Sequence, residues 1–275
     1  MPLRVPSWST LLCSTFSGAI ALCLAASASN AAATGTPAAA AKTAQAPAGG
    51  SLTRADFDGY WVVTNFVPHM EPVDKRITYT VEGDPVPLRP DPKAVYDKRI
   101  ADARRGIGFG DLDSQCMGPG VPRMMRGPGY PFYLFQPPGM LVINFEILHN
   151  TRWIYLNAEH PKAEDIDHNF QGDSIGHWEG TTLVVDTIGL SAKTNLDKLG
   201  LPNSDDLHVI EHIYLTSKNT FEDQITIDDP KTFTKVWSVK ATYKRLPPDT
   251  RIMEYACENN RNAPVNGEVT FDVKK

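Results

Sequence analysis

Residues 207–228 read LHVIEHIYLTSKNTFEDQITID: an apolar, β-branched run from Leu207 to Thr216, a short polar turn at Ser217-Lys218-Asn219, and a second run from Thr220 to Asp228. Runs of this composition bounded by small polar residues are β-strands, and a turn this short makes the pair a hairpin. The same unit recurs on both sides. Phe132 to Gln136 turns at Pro137-Pro138-Gly139 into Met140 to Leu148, which turns at His149-Asn150 into Thr151 to Asn157. Ser174 to Trp178 turns at Glu179-Gly180 into Thr181 to Thr187, and Val236 to Arg245 turns at Pro247-Pro248-Asp249 into Arg251 to Cys257. Gly59 to Val63 reads as a first strand. Consecutive hairpins form an antiparallel meander, and about ten strands in a row tend to curl and close, because closure removes exposed edges. The expected fold is all-β: a lipocalin-like barrel or a strongly curved sheet, with a two-sheet sandwich as the alternative.

Two segments interrupt this pattern. Asp91-Pro92 has the form of a helix start, and Val95, Tyr96, Ile100 and Ala103 follow at helical spacing up to Gly106, so one short helix is expected near 92–105. From Gly106 to Pro131 the chain is crowded with Gly and Pro; an ordered loop of that length is often functional.

The N-terminus has a different character. Arg4 is the only charge among the first thirty residues, Leu11, Leu12, Phe16 and Ala19 to Ala26 are apolar, and Ala26-Ser27-Ala28 forms a small-residue cleavage site. That order is the order of a secretory signal, expected over 1–28. Ser14, Thr15, Ser17 and Gly18 interrupt the apolar stretch, which falls short of the roughly 20 residues of a membrane span. Leu22 before Cys23 is too large for a lipidation site. Residues 29–51 are mostly Ala, Gly, Thr and Pro and read as a disordered linker. The mature domain is expected over 52–275, periplasmic or secreted.

Signal removal leaves Cys116 and Cys257, an even pair that an oxidising compartment would join; two buried free thiols are the alternative. The net charge of −5 is unclustered, with no basic stripe, which argues against nucleic acid as a partner. No second apolar run can span a membrane. Neither a Gly-x-Gly-x-x-Gly nor a P-loop is present, which disfavours nucleotide cofactors, and no Gly-x-Ser-x-Gly is present, which disfavours a serine nucleophile.

The candidate chemistry lies on the strands. Leu141, Ile143, Phe145 and Ile147 share one face of their strand, with Asn144 and Glu146 on the other; Arg152 on the next strand is a natural partner for Glu146. His208, Ile210 and His212 share a side of theirs, and Glu211 points to the opposite side unless a bulge re-aims it. His177 or His208 would serve as a base, Glu146 and Arg152 would orient the site, and Tyr155, Arg152 or Asn259 would stabilise an oxyanion. Trp61, Trp153, Tyr155, Trp178, Trp237 and Tyr243 would supply apolar walls, with Ile210 and His212 beside the ligand. No HExxH or paired CxxC assigns a metal, although strand histidines with a carboxylate suit zinc or a similar divalent ion.

The stretch Gly172-Asp173-Ser174-Ile175-Gly176-His177-Trp178-Glu179-Gly180-Thr181-Thr182-Leu183-Val184-Val185-Asp186-Thr187 resembles the signature of a large group of exported bacterial proteins without an established common activity. Cys116 to Pro122, Arg152 to Pro161, Ser204 to Glu211, Thr226 to Asp229 and Glu254 to Arg261 resemble the same group. The chain departs from it at His212, where Arg is expected, and at Asn157-Ala158-Glu159, where Asp-Gly-Arg is usual. The resemblance implies export and a β-rich fold, and it assigns no catalytic role.

Taken together, the sequence leads us to expect a cofactor-independent acid–base enzyme, of lyase or isomerase type, acting on a small aromatic or apolar molecule. A periplasmic binding protein for an apolar molecule and a metal-binding barrel are the alternatives.

Overall fold

The computed structural model describes residues 52–68, 71–127 and 129–257. The expected signal and linker, and Asn259, lie outside the described residues.

Nine strands form a closed barrel in chain order: β1 (Gly59–Val63), β2 (Phe132–Phe135), β3 (Met140–Phe145), β4 (Thr151–Leu156), β5 (Asp173–Glu179), β6 (Thr182–Ile188), β7 (His208–Ser217), β8 (Thr220–Asp228) and β9 (Trp237–Arg245), with β9 paired back onto β1. Every junction is antiparallel except β4–β5, which is parallel. That exception is forced. In a ring, antiparallel neighbours must alternate in direction, and an odd number of strands cannot alternate all the way round. The parallel pair needs a crossover rather than a hairpin, and the long segment between Leu156 and Asp173 provides it.

The tenth expected strand, Arg251 to Cys257, is not a strand. Both sides of β9 are already taken, by β8 and β1, so no ladder is left for it. It runs instead as a strap over the turn after β3: the Met253 amide donates to Glu146 Oε2 at 2.9 Å and the Tyr255 amide to His149 Nε2 at 3.0 Å. Cys257 closes the expected disulfide with Cys116, with the two Cα atoms 5.7 Å apart.

Inward-facing residues fill the barrel. Phe221 stacks on Tyr243 with ring centroids 4.2 Å apart, Trp61 meets Phe221 edge-on, and Phe132 meets Tyr243 edge-on. A 3-10 turn, Arg54–Phe57, plugs one end: Phe57 is fully buried and its carbonyl accepts the Trp61 indole N–H at 2.8 Å.

Two helices lie near the other end, α1 (Val73–Arg76) and α2 (Pro90–Arg104). The second begins slightly before the expected start because Pro90, not Pro92, occupies its first position after the N-cap Arg89, leaving Asp91 in the first turn to complement the helix dipole. Tyr96 and Ile100, four residues apart, form its buried face. No helix among the described residues is long and apolar enough to cross a membrane.

Candidate functional site

Alternation along each strand decides which side chains enter the barrel. Over the first six residues of β7 the buried ones are Val209, Glu211 and Ile213, so His208, Ile210 and His212 face outward, as a set opposite Glu211. On β8 the buried residues are Phe221, Asp223, Ile225 and Ile227. Arg152 enters from β4, Ser174 from β5 and Thr187 from β6. The barrel interior therefore holds an ionic cluster inside a hydrocarbon shell. Arg152 makes a two-pronged pair with Glu211, Nη1 to Oε1 at 2.8 Å and Nη2 to Oε2 at 2.5 Å. Its Nη2 also reaches Ser174 Oγ at 3.3 Å and Thr187 Oγ1 at 3.2 Å.

This corrects the expected Glu146–Arg152 pair. The two are near in sequence, but β3 ends at Phe145, and Glu146 turns away into the 3-10 segment Ile147–His149 and holds the strap. Arg152 finds its carboxylate 59 residues further along the chain.

Asp223 is fully buried beside this pair, and neither of its carboxylate oxygens accepts a hydrogen bond among the described residues. Burial first, and then the charge and hydrogen bond of Glu211, push its carboxyl well above the ordinary value, against the pull of Arg152. One guanidinium faces two carboxyls, so the neutral arrangement keeps a proton on Asp223 and directs it to Glu211.

The histidines stand on the outer wall. His208 Nε2 lies 2.8 Å from Asp186 Oδ1, and His160 bridges Asp173 at 2.6 Å and the same Asp186 oxygen at 3.1 Å. The hydrogen bond that His208 donates to Asp186 raises the His208 pKa, outweighing its partial burial. His177 is exposed and sits 3.3 Å from Glu179. Among the described residues, no three His, Cys, Asp or Glu side chains are arranged to hold a metal ion. Trp153 and Tyr155 are exposed on the outer face of β4, 50% and 45% respectively, and do not line the interior. Trp61, Trp237 and Tyr243 are inside, and Trp178 packs on Phe57 at 5.5 Å. Glu146, Arg152, His177 and His208 thus sit in four separate sets of contacts and do not converge.

An open site lies elsewhere. A cleft of about 350 Å³ opens beside the far end of the barrel, between the start of β9 and the segments 65–67, 76–81, 123–127 and 196–198. Phe66, Ile77, Leu196 and Val239 give it an apolar side. Arg76, Arg123, Arg126, Lys198 and Lys240 bring positive charge to it, against Asp113 and Asp197. Arg123 is committed to Asp111, at 2.7 and 2.6 Å, and to Asp113 at 3.0 Å. Lys240 is paired with Glu222 at 3.1 Å.

Sequence reasoning reached the cleft only through the Gly/Pro-rich loop from Gly106 to Pro131, which supplies Asp113, Pro119, Arg123, Arg126 and Gly127. The cleft residues come from seven stretches of chain, and no motif spans them.

No family model matches the chain, and no curated protein matches it. Among solved structures, the chain is similar to the wild-type fluorescent protein UnaG, with a TM-score of 0.30 at 12% identity over 69% of this chain and 97% of that one. Two single-residue variants of UnaG give TM-scores of 0.29 at 11–12% identity, over 69–70% of this chain and 95–97% of theirs. Scores this low bear on neither the ligand nor the site.

Proposed function

We propose that this chain is an exported small-molecule-binding barrel that holds its ligand in the cleft beside the barrel end, not within the barrel. The cleft itself carries the reading. It has the size of the smaller ligand sites and combines an apolar side with a few placed polar groups, whereas the barrel centre is occupied by rings and by the Arg152–Glu211 pair. The acid–base reading needed Glu146, Arg152, His177 and His208 to face one substrate, and their separate placement favours binding without turnover. Export is supported by the signal-like N-terminus and by the Cys116–Cys257 disulfide.

Titration with the neutral dye Nile red tests the site. Saturable binding with one dye per chain is expected. The double variant Val67→Trp/Val81→Trp, which places two rings at exposed rim positions, should weaken it at least tenfold. Binding that is not saturable, or that ignores those rings, would overturn the assignment.

A further inference from the structure

We propose that the natural occupant of the cleft is an amphipathic anion, an oxyanion headgroup on an apolar body, with Arg76 and Arg126 as its headgroup partners. This rests on the cleft being the ligand site and adds the chemical class of what it takes.

The argument is one of donors left unpaired, where the cations Arg76, Arg123, Arg126, Lys198 and Lys240 meet the carboxylates Asp111, Asp113, Asp197 and Glu222. Once Arg123 and Lys240 are assigned to their carboxylates, Arg76, Arg126 and Lys198 remain. Among the described residues none of the three has an ion-pair partner. Among the described residues Asp113 Oδ1 is buried without a donor, and the other carboxylate in the cleft, Asp197, acts on Arg126 by charge alone because its oxygens are already filled by hydrogen bonds. Thr78 Oγ1 and the Tyr96 hydroxyl donate to its Oδ2 at 3.0 and 2.5 Å, and the Leu199 and Leu201 amides each donate to its Oδ1 at 2.9 Å. Arg126 has one long contact, Nη1 to the Leu196 carbonyl at 3.5 Å. The Arg76 Nε is buried without any acceptor.

A guanidinium nitrogen removed from water and left without an acceptor is costly, and an anion that presents two oxygens, a carboxylate or a phosphate, is the partner a guanidinium's geometry fits. Burial lowers the pKa of both Arg126 and Lys198, and the Arg123 charge lowers Lys198 further; the charges of Asp197 on Arg126 and of Asp113 and Asp111 on Lys198 offset this only in part. The apolar side of the cleft, with Phe66, Ile77 and Val239, calls for a hydrocarbon or ring attached to that headgroup. A free inorganic anion would leave it uncovered, and a neutral apolar molecule would leave the arginines bare.

The test compares four probes with one tail, by calorimetry below their micelle concentrations: octanoate, octyl phosphate, octanol and octyltrimethylammonium. The two anions are expected to bind about tenfold to a hundredfold tighter than octanol, the range of a charged hydrogen bond, and the cation not at all. Arg76→Met and Arg126→Met should each weaken octanoate about tenfold and octanol less than twofold, with thermal melting confirming that each variant is folded. A second readout leaves the protein unchanged. Octanoate affinity should fall as pH drops through its own carboxyl pKa, while octanol affinity stays level. Tight binding of octyl phosphate but not octanoate would restrict the class to phosphate esters and still support the proposal. Anions no tighter than octanol, with Nile red still displaced by the Val67→Trp/Val81→Trp rings, would overturn the anion assignment and leave the binding site standing. Nile red binding that ignores the rings would overturn both. Binding only to anionic vesicles, with no monomer bound, would also overturn it.

Discussion

Replacing Asp223 with Asn tests the charge arithmetic of the barrel interior. Asp223 is fully buried and has no donor to either oxygen, so its charged form is stabilised only by Arg152, whose two terminal nitrogens already serve Glu211. The folded chain therefore keeps a proton that the unfolded chain, with an Asp pKa of about 3.9, releases. Because the folded state binds the extra proton, stability must fall as pH rises above about 4, by about 1.36 kcal/mol per pH unit for one proton. Asn has nearly the same shape, keeps an N–H to donate to Glu211, and does not titrate. The stability of Asp223→Asn relative to the natural chain should thus rise from pH 5 to pH 7, by at most about 1.4 kcal/mol per pH unit. Urea unfolding of both proteins at pH 5, 6 and 7, with the disulfide intact, measures it. Only the difference between the two is diagnostic, since other groups affect both equally. A difference that is the same at all three pH values would mean that Asp223 carries no extra proton in the folded state, and the reading of the cluster would be wrong.

Two further outcomes follow from the geometry. Cys116→Ser/Cys257→Ser should lose about 2–5 kcal/mol in the same assay, since the bond closes a long loop and fixes the strap that Glu146 and His149 hold; an unchanged unfolding midpoint would argue against it. Asp186→Asn should return the His208 pKa toward its ordinary value, because the Asp186 hydrogen bond is what raises it. A proton NMR titration of the imidazole reads this directly, and an unmoved pKa would show that Asp186 is not the cause.

The hairpins around Leu207–Asp228 were enough to read the barrel, because turn residues and strand composition are local signals. Strand count was not local. Arg251–Cys257 has strand-like residues, but only the closure of β9 on β1 reveals that no partner remains for it. Period-two spacing correctly grouped His208, Ile210 and His212 opposite Glu211, yet the group carrying a charge proved to be the interior one. Burying Glu211 is tolerable only because Arg152 meets it there, and that meeting depends on the register of four strands. Asp223, flanked at two-residue spacing by Phe221 and Ile225, was the overlooked hint of a polar interior. The cleft could not be read at all, since its arginines gain meaning only from the carboxylates that other loops have already saturated.

The parity of the barrel has a consequence for what position 152 must be. The β4–β5 junction has only two residue pairs, Tyr155 with Ile175 and Leu156 with Gly176, so most of β4 lacks backbone rungs on that side. Arg152 reaches over this opening to Ser174 on β5, Thr187 on β6 and Glu211 on β7, acting as a clasp across three strands. A side chain thereby substitutes for absent main-chain bonds. A relative with one strand more or fewer could alternate all the way round, close that gap with an ordinary ladder, and carry an aliphatic residue where this chain needs its guanidinium.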